Sequence, residues 1–581
     1  MNVVTAEILR QYFLSIVGEM DEMVSRSSMS PIFNEGHDYT TGLFSLRDSE
    51  IDLIALGTGV PVHLFAATTS VERFMTEFRK GLCDGDIGLI NDPYHGGGHL
   101  PDWTLIKPIF VDGTPRFCSV VRAHMLDPGG PYPGGRNPNA TEIWQEGFRI
   151  YPLKIVEAGT VRHDVWQLLL ANSRLPDYLD NDLKGMIGAC EAAARRIHSA
   201  VEKYGLAEVQ ESVGYTLSYS EKWIRKEIEQ WPEGQYRGES YADSDFIETR
   251  DIKIRATLTV RNDGVTLDFA GTDDQVKGCI NSTHANALAY ALLPFMTVCP
   301  DIPVNSGLFR PFRVLLPQGT VVNANAPAAV ALSTVCVGHE ICEAVLGALE
   351  EVVPERVATA SIDMCFLYTW GKDPRYNEFF LSTDYYASAV SAGGAFGQDG
   401  WGALAATMNG LRLPTFEMSE IQYPFFYLKG EYATDTAAPG RWRGVPAFHL
   451  RRRITAVEQP VSMTMFVRSS RHPCKGFAGG KPGKGNRYVS KPGTRNELGV
   501  IERLDQISVD SGEEVFCEKG GGGGWGNALH RDPDLVLRDV LDEIVSVRGA
   551  ADDYGVAIDL AHQCVDQAET QRLRQARRVK T

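Results

Sequence analysis

No two of the eleven cysteines in this 581-residue chain stand in a Cys-x-x-Cys pair, and their number is odd. A disulfide framework is not expected; reduced thiols in a cytoplasmic protein are. No stretch approaches the roughly 18 consecutive apolar residues of a membrane span. The opening run Met1-Asn-Val-Val-Thr-Ala-Glu-Ile-Leu-Arg10 lacks the basic segment and apolar core of a secretory signal. Cations are in deficit: 57 Lys and Arg against 74 Asp and Glu, a net charge of −17. Nucleic acid is therefore excluded as the main partner, because phosphate contacts draw on an excess of Lys and Arg. The one basic run, Arg572 to Lys580, reads as a solvated helix end. Also missing are a Gly-x-Ser-x-Gly elbow, an internal repeat and a low-complexity linker. The five glycines Gly520 to Gly524 are not followed by the Lys-Ser/Thr of a phosphate-binding loop. They, and the glycines of Ala392 to Gly400, read as structural turns, so the chain is expected to carry no nucleotide site of its own.

What is present is ordinary globular composition, 43% hydrophobic and 23% charged. A chain this long buries a large core without metal or disulfides, so a metal site here would serve chemistry. Helical periodicity predicts a helix over 5–26, capped at Thr5, with Ile8, Tyr12, Ile16, Met20 and Met23 as its buried stripe. Strands are predicted at Tyr39 to Leu46, Ile87 to Ile90, Trp103 to Val111 and Phe117 to Ala123. The last two flank Asp112-Gly113 as a hairpin. Helices follow near 163–171, 177–204 and 207–230, then a strand pair around Asn262-Asp-Gly264, then helices near 283–298 and 337–352. Strands and glycine-rich turns dominate 361–530, and helices are predicted at 533–545 and 556–578. The mixture is α+β, a large multilobed body. Five regions are expected: 1–160, metal-binding; 161–235, helical; 236–355, α+β; 356–530, strand-rich; 531–581, a helical tail.

One segment gathers chemistry. In His95-Gly-Gly-Gly-His99-Leu-Pro-Asp102 an imidazole and a carboxylate stand three residues apart around a stiff Leu-Pro step. The glycines let backbone approach closely. His124 ends the partner strand of the predicted hairpin and can arrive about 5 Å away. Two imidazoles and a carboxylate suit zinc, manganese or iron, with positions left open. Asp38, in Glu35-Gly-His37-Asp38, is a candidate fourth ligand from a distance. The Gly- and Pro-rich stretch 126–150 that follows His124 reads as a loop shaped over the site.

Asn91-Asp-Pro-Tyr-His-Gly-Gly-Gly-His-Leu-Pro-Asp102 resembles the Asn-Asp-Pro-Tyr-x-Gly-Gly-x-His-x-Pro-Asp signature of the hydantoinase B/5-oxoprolinase family. Further matches run in family order. They include Val60-Pro-Val-His63-Leu64, Arg122-Ala-His124, Ala140-Thr-Glu-Ile143 with Glu146-Gly147, and Leu170-Ala-Asn-Ser-Arg174. They continue through Asp301-Ile-Pro-Val-Asn305-Ser-Gly307, Gly440-Arg-Trp-Arg-Gly444, Ala478-Gly-Gly-Lys-Pro-Gly483 and Gly521-Gly-Gly-Gly-Trp-Gly526. The resemblance implies a B-type (beta) subunit of an ATP-dependent enzyme that opens a cyclic amide: a lactam, 5-oxoproline or a hydantoin. It implies a hydantoinase A-type partner that binds ATP and Mg and phosphorylates the carbonyl oxygen, in an (αβ)2 heterotetramer. It further implies a divalent metal in this chain, zinc first, held by Asp38, His99, Asp102 and His124, whose bound water attacks. His95 is a bystander as far as ligation goes; it and Glu142 or Glu146 are candidates to support the ligands or to transfer protons. A subunit of an acetone- or acetophenone-type carboxylase is the alternative the resemblance leaves open. The version Asn34-Glu35-Gly-His37-Asp38-Tyr39 departs from the Arg-rich form common in hydantoinases, so the substrate stays open too.

Overall fold

In a computed structural model, residues 2–47, 50–359, 366–384, 392–402, 410–455, 458–500 and 503–578 are described. The chain opens with α1 (Val3–Ser27), whose N-cap is Asn2, not Thr5; the Asn2 side chain accepts the Val4 N–H. The buried stripe of α1 is Ala6, Leu9, Phe13, Ile16, Val17, Met20 and Val24. Ile8 is half exposed, so the true stripe is rotated by about one residue from the predicted one. Two apolar rows one residue apart compete on this helix, and packing against later helices selects between them.

A short helix α2 (Pro31–Asn34) leads into β1 (Tyr39–Arg47) and β2 (Glu50–Leu56). Then come α3 (Pro61–Glu77), β3 (Ile87–Ile90), β4 (Asp102–Val111), β5 (Thr114–His124), β6 (Leu153–Glu157) and β7 (Thr160–Val161). These strands form one antiparallel sheet in the order β2-β1-β5-β4-β3-β6-β7. Asp112 (φ 51°) and Gly113 (φ 72°) turn β4 into β5, the left-handed pair that a two-residue hairpin requires.

Helices α4 (His163–Ala171), α5 (Pro176–Tyr204) and α6 (Leu206–Ile228) follow the sheet. A second sheet, β8 (Gly234–Ser244), β9 (Arg250–Arg261), β10 (Gly264–Asp268) and β11 (Phe312–Leu315), is laid down around α7 (His284–Val298), α8 (Ser306–Phe309) and α9 (Val337–Glu350). One buried apolar cluster runs from Leu9 to Val357 and takes in Tyr368, Trp370, Phe477 and Trp525 from the rest of the chain. A smaller core, including Leu367, Leu450, Met463 and Val515, lies between two further sheets. The C-terminal helices Pro533–Leu541 and Val547–Tyr554 have their own.

Where a helix over 556–578 was predicted, the helix begins only at Gln567. Gly555 ends the preceding helix in a left-handed conformation (φ 62°), and Ala557–Asp559 pairs with Cys564–Asp566 as a hairpin. The described cysteines are all free thiols. Among the described residues no helix is long and apolar enough to cross a membrane.

The five-glycine run is wholly buried. A Cβ on Gly523 would overlap the Lys475 carbonyl, one on Gly444 the Gly522 carbonyl, and one on Gly480 the Gly524 carbonyl. Backbone bonds such as Trp525 N–H to Trp442 O (2.8 Å), Phe477 N–H to Gly524 O (3.0 Å) and Gly394 N–H to Gly523 O (2.8 Å) knit four distant glycine segments together. These glycines pack backbone on backbone and present no open phosphate cradle.

Candidate metal centre

The hairpin positions the site. Asp102 and His124 are direct cross-strand partners at the open end of β4–β5, so their side chains share a face. On the same face one step in, Arg122 pairs with Thr104. The buried Arg122 guanidinium donates to Thr104 Oγ1 (2.7 Å), the His63 carbonyl (2.8 Å), Ser70 Oγ (2.8 Å) and the Gly96 carbonyl (2.7 Å). This one side chain ties the hairpin, α3 and the glycine loop together.

The loop that carries His99 begins at the turn Pro93–His95, capped by Asp92, whose side chain accepts the Tyr94 N–H. Gly96 leaves that turn at φ 104°, which a side-chain-bearing residue adopts only with strain. Gly98 has no room for a Cβ, which would collide with Asp102 Oδ2. The loop is thereby pressed onto the carboxylate. Asn91 holds its base, donating to the carbonyls of Leu100 (2.8 Å) and Phe148 (2.9 Å).

Three donor atoms converge. His99 Nε2 lies 2.9 Å from Asp102 Oδ1 and 2.9 Å from His124 Nδ1, and His124 Nδ1 lies 3.5 Å from Asp102 Oδ1. Among the described residues these three form the group whose ligand atoms are spaced to hold a metal ion. All are buried. Burial, the largest influence, pushes the His99 imidazole down to about 3 against the opposing pull of Asp102. Burial would raise the Asp102 carboxyl, but the surrounding imidazoles of His99, His63 and His124 reverse this and hold it well below the usual carboxylate range. The resulting set is an ionised carboxylate beside a neutral imidazole. Neither Asp102 oxygen has an aligned hydrogen-bond donor, although His99 Nε2 is close. Two facing ring nitrogens and an orphaned buried carboxylate fit a divalent cation; left alone, the ring nitrogens bond each other and the carboxylate stays unsatisfied.

Asp38 is brought nearby by α2 and β1. Its N–H donates to the Ile32 carbonyl (2.9 Å) and its own carbonyl accepts the His124 N–H (3.0 Å). Its carboxylate faces His63: Oδ1 lies 3.2 Å from His63 Nε2, while His63 Nδ1 lies 3.7 Å from Asp102 Oδ2. Asp38 therefore joins the cluster through His63. His95 points elsewhere, with Nδ1 2.7 Å from Asp92 Oδ2 and its ring against Tyr151. Glu142 pairs with Ala328 through a backbone bridge. Glu146 is buried and accepts the Val330 and Ala331 N–H groups at 2.6 and 2.7 Å.

Sequence reasoning assigned no role to His63, Arg122 or Thr334, although the first two fall in quoted motifs. Thr334 Oγ1 lies 2.9 Å from His99 Nδ1. It sits in Ala331-Leu-Ser-Thr334, which carries no spacing signal, so only the fold could reveal it.

The family model described as hydantoinase B/oxoprolinase matches residues 2–528. Caprolactamase subunit beta of Pseudomonas jessenii is 31% identical over 578 residues, 98% of each chain. The crystal structure of the ATP-dependent caprolactamase from Pseudomonas jessenii superposes with a TM-score of 0.92 at 29% identity, over 99% of this chain and 100% of that one. A nucleotide-free acetone carboxylase structure superposes with a TM-score of 0.90 at 20% identity, over 100% of this chain and 83% of that one, which shows a shared fold.

Proposed function

The chain belongs to the hydantoinase B/oxoprolinase family, and from that premise we propose that it is the metal-binding B-type subunit of an ATP-dependent cyclic amide hydrolase. The observation that carries this reading is the buried His99–Asp102–His124 cluster. His99 Nε2, His124 Nδ1 and Asp102 Oδ1 are the donors that would hold a divalent cation, zinc first and manganese or iron next, with Asp38 as the fourth ligand. When bound, such a cation supplies Lewis acidity that makes water nucleophilic near neutral pH. The chain's own residues do the rest. The neutral imidazole of His99 and the ionised Asp102 stand ready to ligate without losing a proton. Burial keeps bulk water from competing. His63 stands between the two carboxylates, hydrogen-bonded to Asp38 at 3.2 Å and facing Asp102 Oδ2 across 3.7 Å.

An unstrained lactam resists attack by water because amide resonance makes its carbonyl a poor electrophile. Phosphorylation of that carbonyl oxygen removes the resonance, and the proposal assigns this step to a separate A-type, ATP-binding partner in an (αβ)2 assembly. Two facts support a partner: the 31%-identical relative is itself named a subunit beta, and the glycine runs here are closed by backbone packing. The full-length identity to a caprolactamase subunit supports hydrolysis; the ketone carboxylase alternative has fold likeness for its support.

The test is purification with the A-type partner, metal analysis, and ADP release with lactams, 5-oxoproline and hydantoins, and separately with ketones plus bicarbonate. Wild type is expected to hold about one divalent ion per chain and to release ADP with a cyclic amide. His99→Ala and His124→Ala are each expected to lose both the ion and the turnover. Retained metal in both variants overturns the site, and ADP release only with ketone and bicarbonate overturns the reaction.

A further inference from the structure

His99 meets the cluster through Nε2, so its usefulness as a ligand depends on what its other ring nitrogen does. An imidazole offers a lone pair at Nε2 only when Nδ1 carries the proton, and that tautomer is set by the partner of Nδ1. Here the partner is the Thr334 hydroxyl, 2.9 Å away. Thr334 and His99 are both buried, 6% and 2% exposed, so bulk water is poorly placed to substitute.

Thr334 is held by an unusually complete set of restraints for a segment with no regular structure. The strap Pro327–Thr334 is pinned at its start by the Ile143 N–H, which donates to the Pro327 carbonyl (2.9 Å), and by Tyr94 Oη, which donates to the Ala328 carbonyl (2.7 Å). Its middle is pinned by Glu146, which accepts two consecutive N–H groups through one oxygen. At its end Ser333 Oγ donates to the Gly98 carbonyl (2.7 Å), on the residue before His99, and Tyr290 Oη donates to the Thr334 carbonyl. Asn286 Nδ2 reaches the Ser333 carbonyl at 3.3 Å. The strap is thus fastened to the loop it orients, and to α7 behind it.

We propose that Thr334 is a positioning residue for the metal centre: its hydroxyl can accept the Nδ1–H of His99 in the tautomer that ligation requires, and the contact holds the ring plane that aims Nε2 at Asp102 and His124. The strap from Pro327 to Ser333, anchored by Glu146, exists to hold that oxygen in place. This rests on the metal-binding reading above.

The experiment uses the full chain as wild type, Thr334→Val, Thr334→Ser and His99→Ala. Valine keeps the shape and removes the acceptor; serine keeps the acceptor. Zinc affinity is read by chelator competition, and ligand geometry by the visible spectrum of the cobalt(II)-substituted protein. Thermal unfolding of the metal-free forms reports whether each variant is folded. Thr334→Val is expected to bind zinc about 10- to 100-fold more weakly and to shift the cobalt bands, while Thr334→Ser matches wild type in both. Wild-type affinity and spectrum in Thr334→Val overturn the role of Thr334, with the metal site intact if His99→Ala loses the ion. A shift of equal size in Thr334→Ser also overturns it, since the acceptor would then not be what matters. If wild type and His99→Ala bind zinc equally, the metal reading falls and this inference with it.

Discussion

At Glu146 a carboxyl group is sealed from water, with one oxygen bonded to the strap and the other buried without a hydrogen-bond donor. Burial pushes it up to about 8, against the lowering effects of the Ala331 and Val330 N–H groups and of Arg136. A carboxyl raised in the folded state binds its proton more tightly there than in the unfolded chain. Its contribution is therefore whole below about pH 4, the unfolded value, and is lost as pH rises through the folded value near 8. Glu146→Gln removes this titration and keeps an acceptor for the strap. The variant should gain stability relative to wild type steadily from pH 5 to pH 8, measured as the difference in urea midpoint. A pH-independent difference would show that Glu146 is not neutralised on folding. The residues that carry the site divide by how they could be found. His99 and Asp102 lie three apart in one loop and His124 ends the next strand, so spacing alone suggested them. Thr334 meets His99 from 235 residues away and no local pattern marks it; Glu146 lies in a family motif, but its bonds to Val330 and Ala331, 184 and 185 residues away, depend on the fold.

Among the elements, the glycine layer is the least forgiving. Segments near 394, 442, 480 and 523 approach so closely that a methyl group on Gly523 meets the Lys475 carbonyl, a backbone atom with little freedom to move. Gly523→Ala should destabilise the protein by about 1–3 kcal/mol through overpacking. A lowered denaturant midpoint checks this, and an unchanged midpoint would mean the layer relaxes more easily than its contacts imply. The sequence motifs in these segments were visible one by one, but their mutual packing was not. The same holds at α1, where period predicted a helix and tertiary contacts chose the buried row. At the C-terminus, periodicity placed the onset of the last helix eleven residues early, because Gly555 ends the preceding helix and a two-stranded hairpin intervenes before Gln567.

For the whole molecule, a core continuous from Leu9 to Val357 welds the first sheet, the helices and the second sheet into a rigid support for the centre. Such a frame suits the tight tolerances a metal site needs, and nucleotide chemistry falls, in the proposed function, to another chain. The prediction at this scale is one of complementation. The purified chain alone should bind zinc and show no lactam-dependent ATP hydrolysis. Adding the A-type partner should restore it, and a partner mixed with His124→Ala should not. Lactam-dependent ATPase activity in the chain alone would place a nucleotide site here after all. The (αβ)2 arrangement is checked by light scattering of the reconstituted complex.

The sequence by itself determined the α+β mixture, the β4–β5 hairpin, and the loop that carries His99 and Asp102, but not the helix α3 or the hairpin of Ala557–Asp559 with Cys564–Asp566. The first three depend on local periodicity, on turn residues such as Asp112-Gly113, and on a stiff Leu-Pro step, all of which act within a few residues. Only the tertiary structure decided which face of α1 is buried and how four glycine segments stack. Only it showed that Asp38 faces His63 and that Thr334 meets the far side of His99. Those outcomes rest on contacts between residues far apart in the chain, where burial removes water as the competing partner and leaves one arrangement of donors and acceptors satisfied.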